Sequence, residues 1–206
     1  MSITPELERL LAGNLRVWRG GSLGDANLLT LPTGHAQLDA VLPGGGWPVG
    51  ALTELVVSHW GIGELRLLLP ALSALSQAQR WLVWIAPPYA PYAPALLQAG
   101  VDLRYALLIE VQNSSQDVFW SMEKLLRNPA TGMVMAWPRT VLAGNLRRLQ
   151  LAAEAGQTLG ILFHQRLLES TPAALRLQLN PVRQDLEVSI LKARGSLLRR
   201  TVVLSV

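Results

Sequence analysis

Between residues 51 and 164, short and almost wholly apolar runs alternate with segments of helical periodicity, which restricts the chain to a parallel sheet covered by helices. Residues 51–57, 81–86, 106–111, 132–137 and 159–164 read as strands; their continuous hydrophobicity implies burial on both faces. Residues 65–79, 94–99, 116–127 and 141–155 read as the intervening helices. Pro70 must kink or shorten the first, and Gly100 ends the second. From Ala174 the pattern becomes alternation, through Leu175, Leu177, Leu179, Leu186, Val188, Ile190, Val202 and Leu204. That predicts antiparallel strands turning at Asn180-Pro181 and at Gly195, so the fold class is α/β, a mostly parallel sheet with an antiparallel C-terminal edge.

Ahead of this core, Thr4, Pro5 and Glu6 form a helix start, and Leu7, Leu10, Leu11, Leu15 and Trp18 follow near one face. Residues 1–20 are expected to form an amphipathic helical arm and 21–30 a Gly-rich linker, with the core domain over 31–206. Leu7, Leu11, Trp18 and Arg19 are interface candidates whether the arm packs on its own core or on a partner. Half of the 206 residues are hydrophobic, enough for a large core. There is no Cys, and the histidines at 35, 59 and 164 have no ligand spacing, so no disulfide, thiolate metal site or other metal centre is expected. No secretory signal and no membrane-spanning run is visible, which predicts a cytoplasmic protein. Of the 18 basic residues only Lys124 and Lys192 are lysines; the rest are Arg, suited to phosphate or carboxylate.

The segment 58–65 reads Ser-His-Trp-Gly-Ile-Gly-Glu-Leu, at the strand-to-helix junction where a phosphate-binding loop belongs. Such a loop needs Gly-rich backbone for phosphate, a Lys to neutralise it and a hydroxyl for Mg²⁺. Gly63 remains, while Ser58 stands for the first Gly, Glu64 for the Lys and Leu65 for the hydroxyl. Charge reversal at 64 repels a phosphate, so no nucleotide cofactor and no enzymatic activity are expected.

The order of these parts, together with Leu31-Pro32-Thr33-Gly34-His35-Ala36-Gln37-Leu38-Asp39 and the Gly-rich turn at 44–50, resembles the RecA ATPase core. By that resemblance the catalytic Glu is replaced within Ala86-Pro87-Pro88-Tyr89, and the Walker B Asp within Met135-Ala136-Trp137-Pro138, while Gln165 matches the sensor Gln. More narrowly, Trp18-Arg19-Gly20, 42–48, 63–70, 86–88, 91–96, 146–154 and Leu191-Lys192-Ala193-Arg194-Gly195 resemble the ImuA family, RecA-like accessory proteins of translesion DNA synthesis. The resemblance implies an SOS-induced, non-catalytic adaptor. Its partners would be an ImuB-type polymerase homologue, RecA, DNA and an error-prone C-family polymerase (DnaE2), with self-association through a RecA-type interface. The SulA family, inhibitors of cell division that sequester FtsZ, shares the degenerate RecA ancestry and is the alternative.

The resemblance also directs attention to basic residues near the sheet's end. Arg139, Arg147 and Arg148 match positions near RecA's DNA-facing loops, and Gln165 and Arg166 close the last parallel strand. Lys192, Arg194, Arg199 and Arg200 form the densest basic segment. All are candidates for DNA or partner binding, with a solvated surface as the alternative. Trp60 is a candidate interface anchor, whereas Trp47, Trp81, Trp84 and Trp137 are expected in the core. Tyr89 and Tyr92, between prolines, are expected to pack over the sheet end or to stack on single-stranded bases.

Overall fold

The computed structural model describes residues 29–112, 114–196 and 199–205. The expected arm with Leu7, Leu11, Trp18 and Arg19, and nearly all of the linker, lie outside the described residues.

The described chain opens with β1 (Thr30–Leu31), α1 (Ala36–Asp39) and β2 (Trp47–Pro48); β1 and β2 pair antiparallel in a two-stranded ribbon that the sequence reading lacks. There follow β3 (Ala51–Val57), α2 (Leu69–Gln77), β4 (Trp81–Ile85), α3 (Ala93–Gln98), β5 (Ala106–Ile109) and α4 (Ser115–Leu126). The chain ends with β6 (Thr131–Ala136), α5 (Ala143–Gly156), β7 (Leu159–His164), β8 (Leu175–Val182), β9 (Asp185–Ala193) and β10 (Thr201–Leu204). Strands β3 to β10 form one sheet in the order β10-β9-β8-β3-β7-β6-β4-β5. The expected mixed α/β architecture with a mostly parallel sheet is present.

Two local expectations are corrected and one is narrowed. The antiparallel region begins one strand later than the alternation implies, because β8 lies parallel to β3 and only the β8–β9 and β9–β10 pairings of this sheet are antiparallel. Asn180 and Pro181 remain in the β8–β9 ladder, and the chain turns after Val182, where Arg183 takes a positive φ of 56°. Pro70 does not kink a helix begun at 65; the helix is shortened and starts at Leu69. A 3₁₀ turn at Arg66–Leu68 precedes α2, and Pro70 occupies its first turn, where no intrahelical N–H is needed.

Period-two alternation divides the core between the two faces of the sheet. Leu52, Val83, Val134 and Leu162 meet Met122, Leu126, Leu146 and Leu149 of α4 and α5. Leu55, Trp84, Met135 and Phe163 point the other way, toward Leu67, Leu68 and Leu72. Trp47, Trp84 and Trp137 are buried as expected, but Trp81 is 40% exposed at the start of β4, edge-on to Tyr105.

Helices α4 and α5 approach closely at Gly156, where an added Cβ would lie 1.9 Å from the Leu126 carbonyl oxygen. Because the obstacle is backbone, the helix ends would have to separate. Gly156→Ala is therefore expected to destabilise by about 1–3 kcal/mol, against alanine's helix preference of about 1 kcal/mol. Urea unfolding measures this; a midpoint at or above the wild-type value would show that the helices are not in contact there.

Candidate interaction cleft at the end of the sheet

Strands β3, β4, β6 and β7 run parallel and end on one edge of the sheet, where open α/β folds place their binding crevices. The loops that follow them surround a cleft of about 930 Å³. Pro87 and Pro88 form one wall, Arg139 to Leu142 another, and His164 to Arg166 a third, with Trp60 and Trp137 also lining it. Trp137 is stacked on Phe163, ring centroids 4.3 Å apart and planes at 3°. A second cleft of about 620 Å³ shares Pro87, Pro88, Ala90 and Trp137 with the first and extends to Gly63, Tyr92 and Asp185.

The 58–65 loop is closed upon itself. Gly61 and Gly63 adopt φ of 85° and 105°, a bend that side-chain-bearing residues rarely make. It lets Glu64 fold inward until it is 5% exposed, its Oε1 accepting the Gly61 N–H at 2.9 Å. Ser58 is exposed and lies 3.0 Å from His59 Nδ1. Trp60, Ile62 and Leu65 pack against the core. Across the cleft, Ala86 holds a φ of 50°, and Tyr89 and Tyr92 are 70% and 72% exposed, so neither tyrosine packs over the sheet end.

Behind the third wall lies a buried polar group centred on Glu54, which sequence reasoning missed. Glu54 is fully buried in mid-β3, with Oε1 3.1 Å from His164 Nε2 and Oε2 accepting from Arg176 Nε at 2.9 Å. Burial pushes the Glu54 carboxyl up, but hydrogen bonds from His164, Arg176 and Thr171, with the Arg176 charge, outweigh it and hold the group below its ordinary value. His164 Nδ1 donates to the Arg166 carbonyl at 2.7 Å and Arg176 Nη1 to the Leu168 carbonyl at 2.6 Å. Lys192 Nζ donates to the Thr171 carbonyl at 2.5 Å; burial, then the charges of Arg176 and Arg194, hold its ammonium below the usual lysine value. Three cationic or polar side chains thus hold the backbone of the 165–173 loop, and so the position of Arg166. The signal for this was legible: a lone Glu in an otherwise apolar strand run requires a cation beside it.

The structure separates the basic candidates. Arg139, Gln165 and Arg166 meet Trp60 around the first cleft, all three exposed. Arg147 is exposed on α5, while Arg148 pairs with Glu123 of α4. Arg194 lies 3.5 Å from Glu154, and Arg199 and Arg200 are exposed between β9 and β10, away from the cleft. Among the described residues no three His, Asp or Glu are grouped as metal ligands, and no helix is long and apolar enough to cross a membrane.

The family model of the cell division inhibitor SulA matches residues 50–160. The SulA of Serratia proteamaculans (strain 568) is 29% identical over 114 residues, covering 55% of this chain and 67% of that protein. That of Yersinia pestis (strain Pestoides F) is 31% identical over 122 residues, covering 59% and 71%. A crystal structure of SulA from Pseudomonas aeruginosa is similar at 26% identity and a TM-score of 0.45, over 54% of this chain and 96% of that one. The family-model match and the Yersinia pestis relative overturn the ImuA resemblance, and with it translesion synthesis and the ImuB-type, RecA, DNA and DnaE2 partners. Several segments that carried it, most of 42–48 together with 86–88 and the 194–195 turn, are turns and chain reversals of the scaffold. Such residues report how the chain bends rather than what it binds.

Proposed function

The chain belongs to the SulA family of cell division inhibitors, and on that premise we propose that it inhibits division by binding FtsZ and keeping it out of assembly, without chemistry of its own. The observation that carries this reading is the span of the family match, residues 50–160, which holds four of the five loops around the cleft. We read the scaffold as a RecA-type core whose nucleotide site is lost. Supporting this, Glu64 stands where a phosphate-binding Lys is needed, and its carboxylate already occupies the Gly61 N–H. No carboxylate stands in Ala86-Pro87-Pro88 or in Met135-Ala136-Trp137-Pro138. Such a binder acts in the cytoplasm.

Titration of the purified chain into assembling FtsZ tests the reading, with pelleted polymer as the readout. A binder that sequesters subunits removes polymer in proportion to the amount added. Polymer unchanged at molar excess would refute the proposal, and complete loss at a small fraction of the FtsZ concentration would point to an enzyme.

A further inference from the structure

We propose that the first cleft receives a partner segment in which carboxylates stand among apolar side chains, with Arg139 and Arg166 as its two cationic anchors. This rests on the division-inhibitor reading, which makes FtsZ the protein that carries the segment. The charge pattern of the described surface supports it. Arg104, Arg127, Arg148 and Arg194 at the surface, and the buried Arg176, each lie beside a carboxylate of this chain. The guanidinium groups of Arg139 and Arg166, like those of Arg147, Arg183, Arg199 and Arg200, have none and meet no acceptor among the described residues, and of these six Arg139 and Arg166 are the two that line this cleft. Glu110 is the single carboxylate among the residues lining it.

Between the arginines and Glu110, Ser114, Ser115 and Thr140, the lining also exposes apolar side chains. Leu142 and Leu108 are 67% and 42% exposed, beside Pro87, Pro88 and Val141. Leaving such side chains in water is unfavourable, and an apolar segment laid over them removes that area from solvent. A free small anion would use the arginines but leave these side chains uncovered; a purely apolar segment would do the reverse. A cleft of 930 Å³ lies at the upper end of small-molecule sites and is open enough to admit a length of chain. The backbone of Arg166 is fixed by His164, so less order has to be gained on binding. No side chain caps the first turn of α5, which opens beside Leu142 and adds to the positive potential there.

The test is a calorimetric titration of FtsZ with the wild-type chain, Arg139→Glu/Arg166→Glu and Arg199→Glu/Arg200→Glu, each at low and at moderate salt. The last variant makes the same charge change away from the cleft. Loss of both cleft anchors is expected to weaken binding by roughly a hundredfold, while the control weakens it by less than about fivefold. Wild-type affinity is expected to fall with salt, and that of the cleft variant to change little. Should the reversal variant not fold, judged by its circular dichroism, Arg139→Gln/Arg166→Gln takes its place, with a loss of roughly tenfold or more expected. Wild-type binding with the cleft variant within a few-fold of it would overturn the cleft assignment and leave the division-inhibitor reading standing. Equal losses in both variants would show attraction by net charge alone and also overturn it. Absence of binding by the wild-type chain would remove the division-inhibitor reading, and this inference with it.

Discussion

Glu54→Ala is expected to cost about 3–5 kcal/mol, because it leaves Arg176 and His164 buried beside β3 without the carboxylate that compensates them. An exposed ion pair is typically worth less than about 1 kcal/mol, so Arg104→Ala, which breaks the exposed pair with Asp102, is the natural contrast. The pH dependence is equally specific. Glu54 is held below its ordinary value of 4.5, so in the unfolded chain it takes up a proton at higher pH than in the folded one. Its contribution is complete above 4.5 and is lost as pH falls through the lower folded value. Urea unfolding of the wild type and Glu54→Gln between neutral pH and pH ~3 measures both effects. The wild type should lose more stability in acid than the variant. Parallel losses would show that Glu54 does not set the acid limb. A coordinated exchange of Glu54, His164 and Arg176 for apolar residues of similar volume should recover much of what Glu54→Ala loses, since the cost lies in the orphaned partners.

Trp137→Ala is expected to be comparably severe, about 3–5 kcal/mol, because it removes a buried ring that stacks on Phe163 and lines both clefts. Trp137→Phe separates ring packing from the indole N–H. Nε1 is buried without a hydrogen-bond partner among the described residues, so the phenyl substitution discards an unsatisfied donor while keeping an aromatic face against Phe163. The phenylalanine variant should therefore lose less than half of what the alanine variant loses, and should keep FtsZ binding where the alanine variant loses it. Thermal unfolding and the polymer-pelleting assay give the two readings; equal destabilisation by both variants would mean that Nε1 has a partner.

The main strands were legible because burial on both faces leaves continuous apolar runs: residues 51–57 and 159–164 coincide with β3 and β7. Helix ends were less legible, since Pro70 reads equally as a break or as a first-turn residue and only the preceding 3₁₀ turn decides between them. The direction of β8 was hidden because alternation reports one solvated face, not the sense of pairing. Its parallel register with β3 depends on the route of the 165–174 loop. Of the candidate site, Arg139, Gln165, Arg166 and Trp60 were named from sequence, and their convergence on one cleft required the sheet order. Glu54 and Arg176 are readable in principle as charges inside apolar strands, but their pairing across 122 residues of sequence follows only from the β3–β8 register. The family was misassigned for a related reason: turn-forming Gly and Pro weigh heavily in a sequence resemblance yet carry little about partners.

The central position of β3 has a consequence for how the protein is made. Its sheet neighbours are β7 and β8, and the cation that neutralises Glu54 lies 122 residues further along the chain. During synthesis the strand therefore leaves the ribosome long before anything exists to pair with its edges. At roughly 5–20 residues per second, several seconds or more pass with an apolar, acid-bearing strand uncovered. The sheet cannot close progressively from its N-terminal end. Its central pairing, with the high sequence separation that slows folding, is completed only once Arg176 has emerged. Until that residue has emerged, the nascent chain presents an unpaired apolar strand, the kind of surface that aggregates and that chaperones cover.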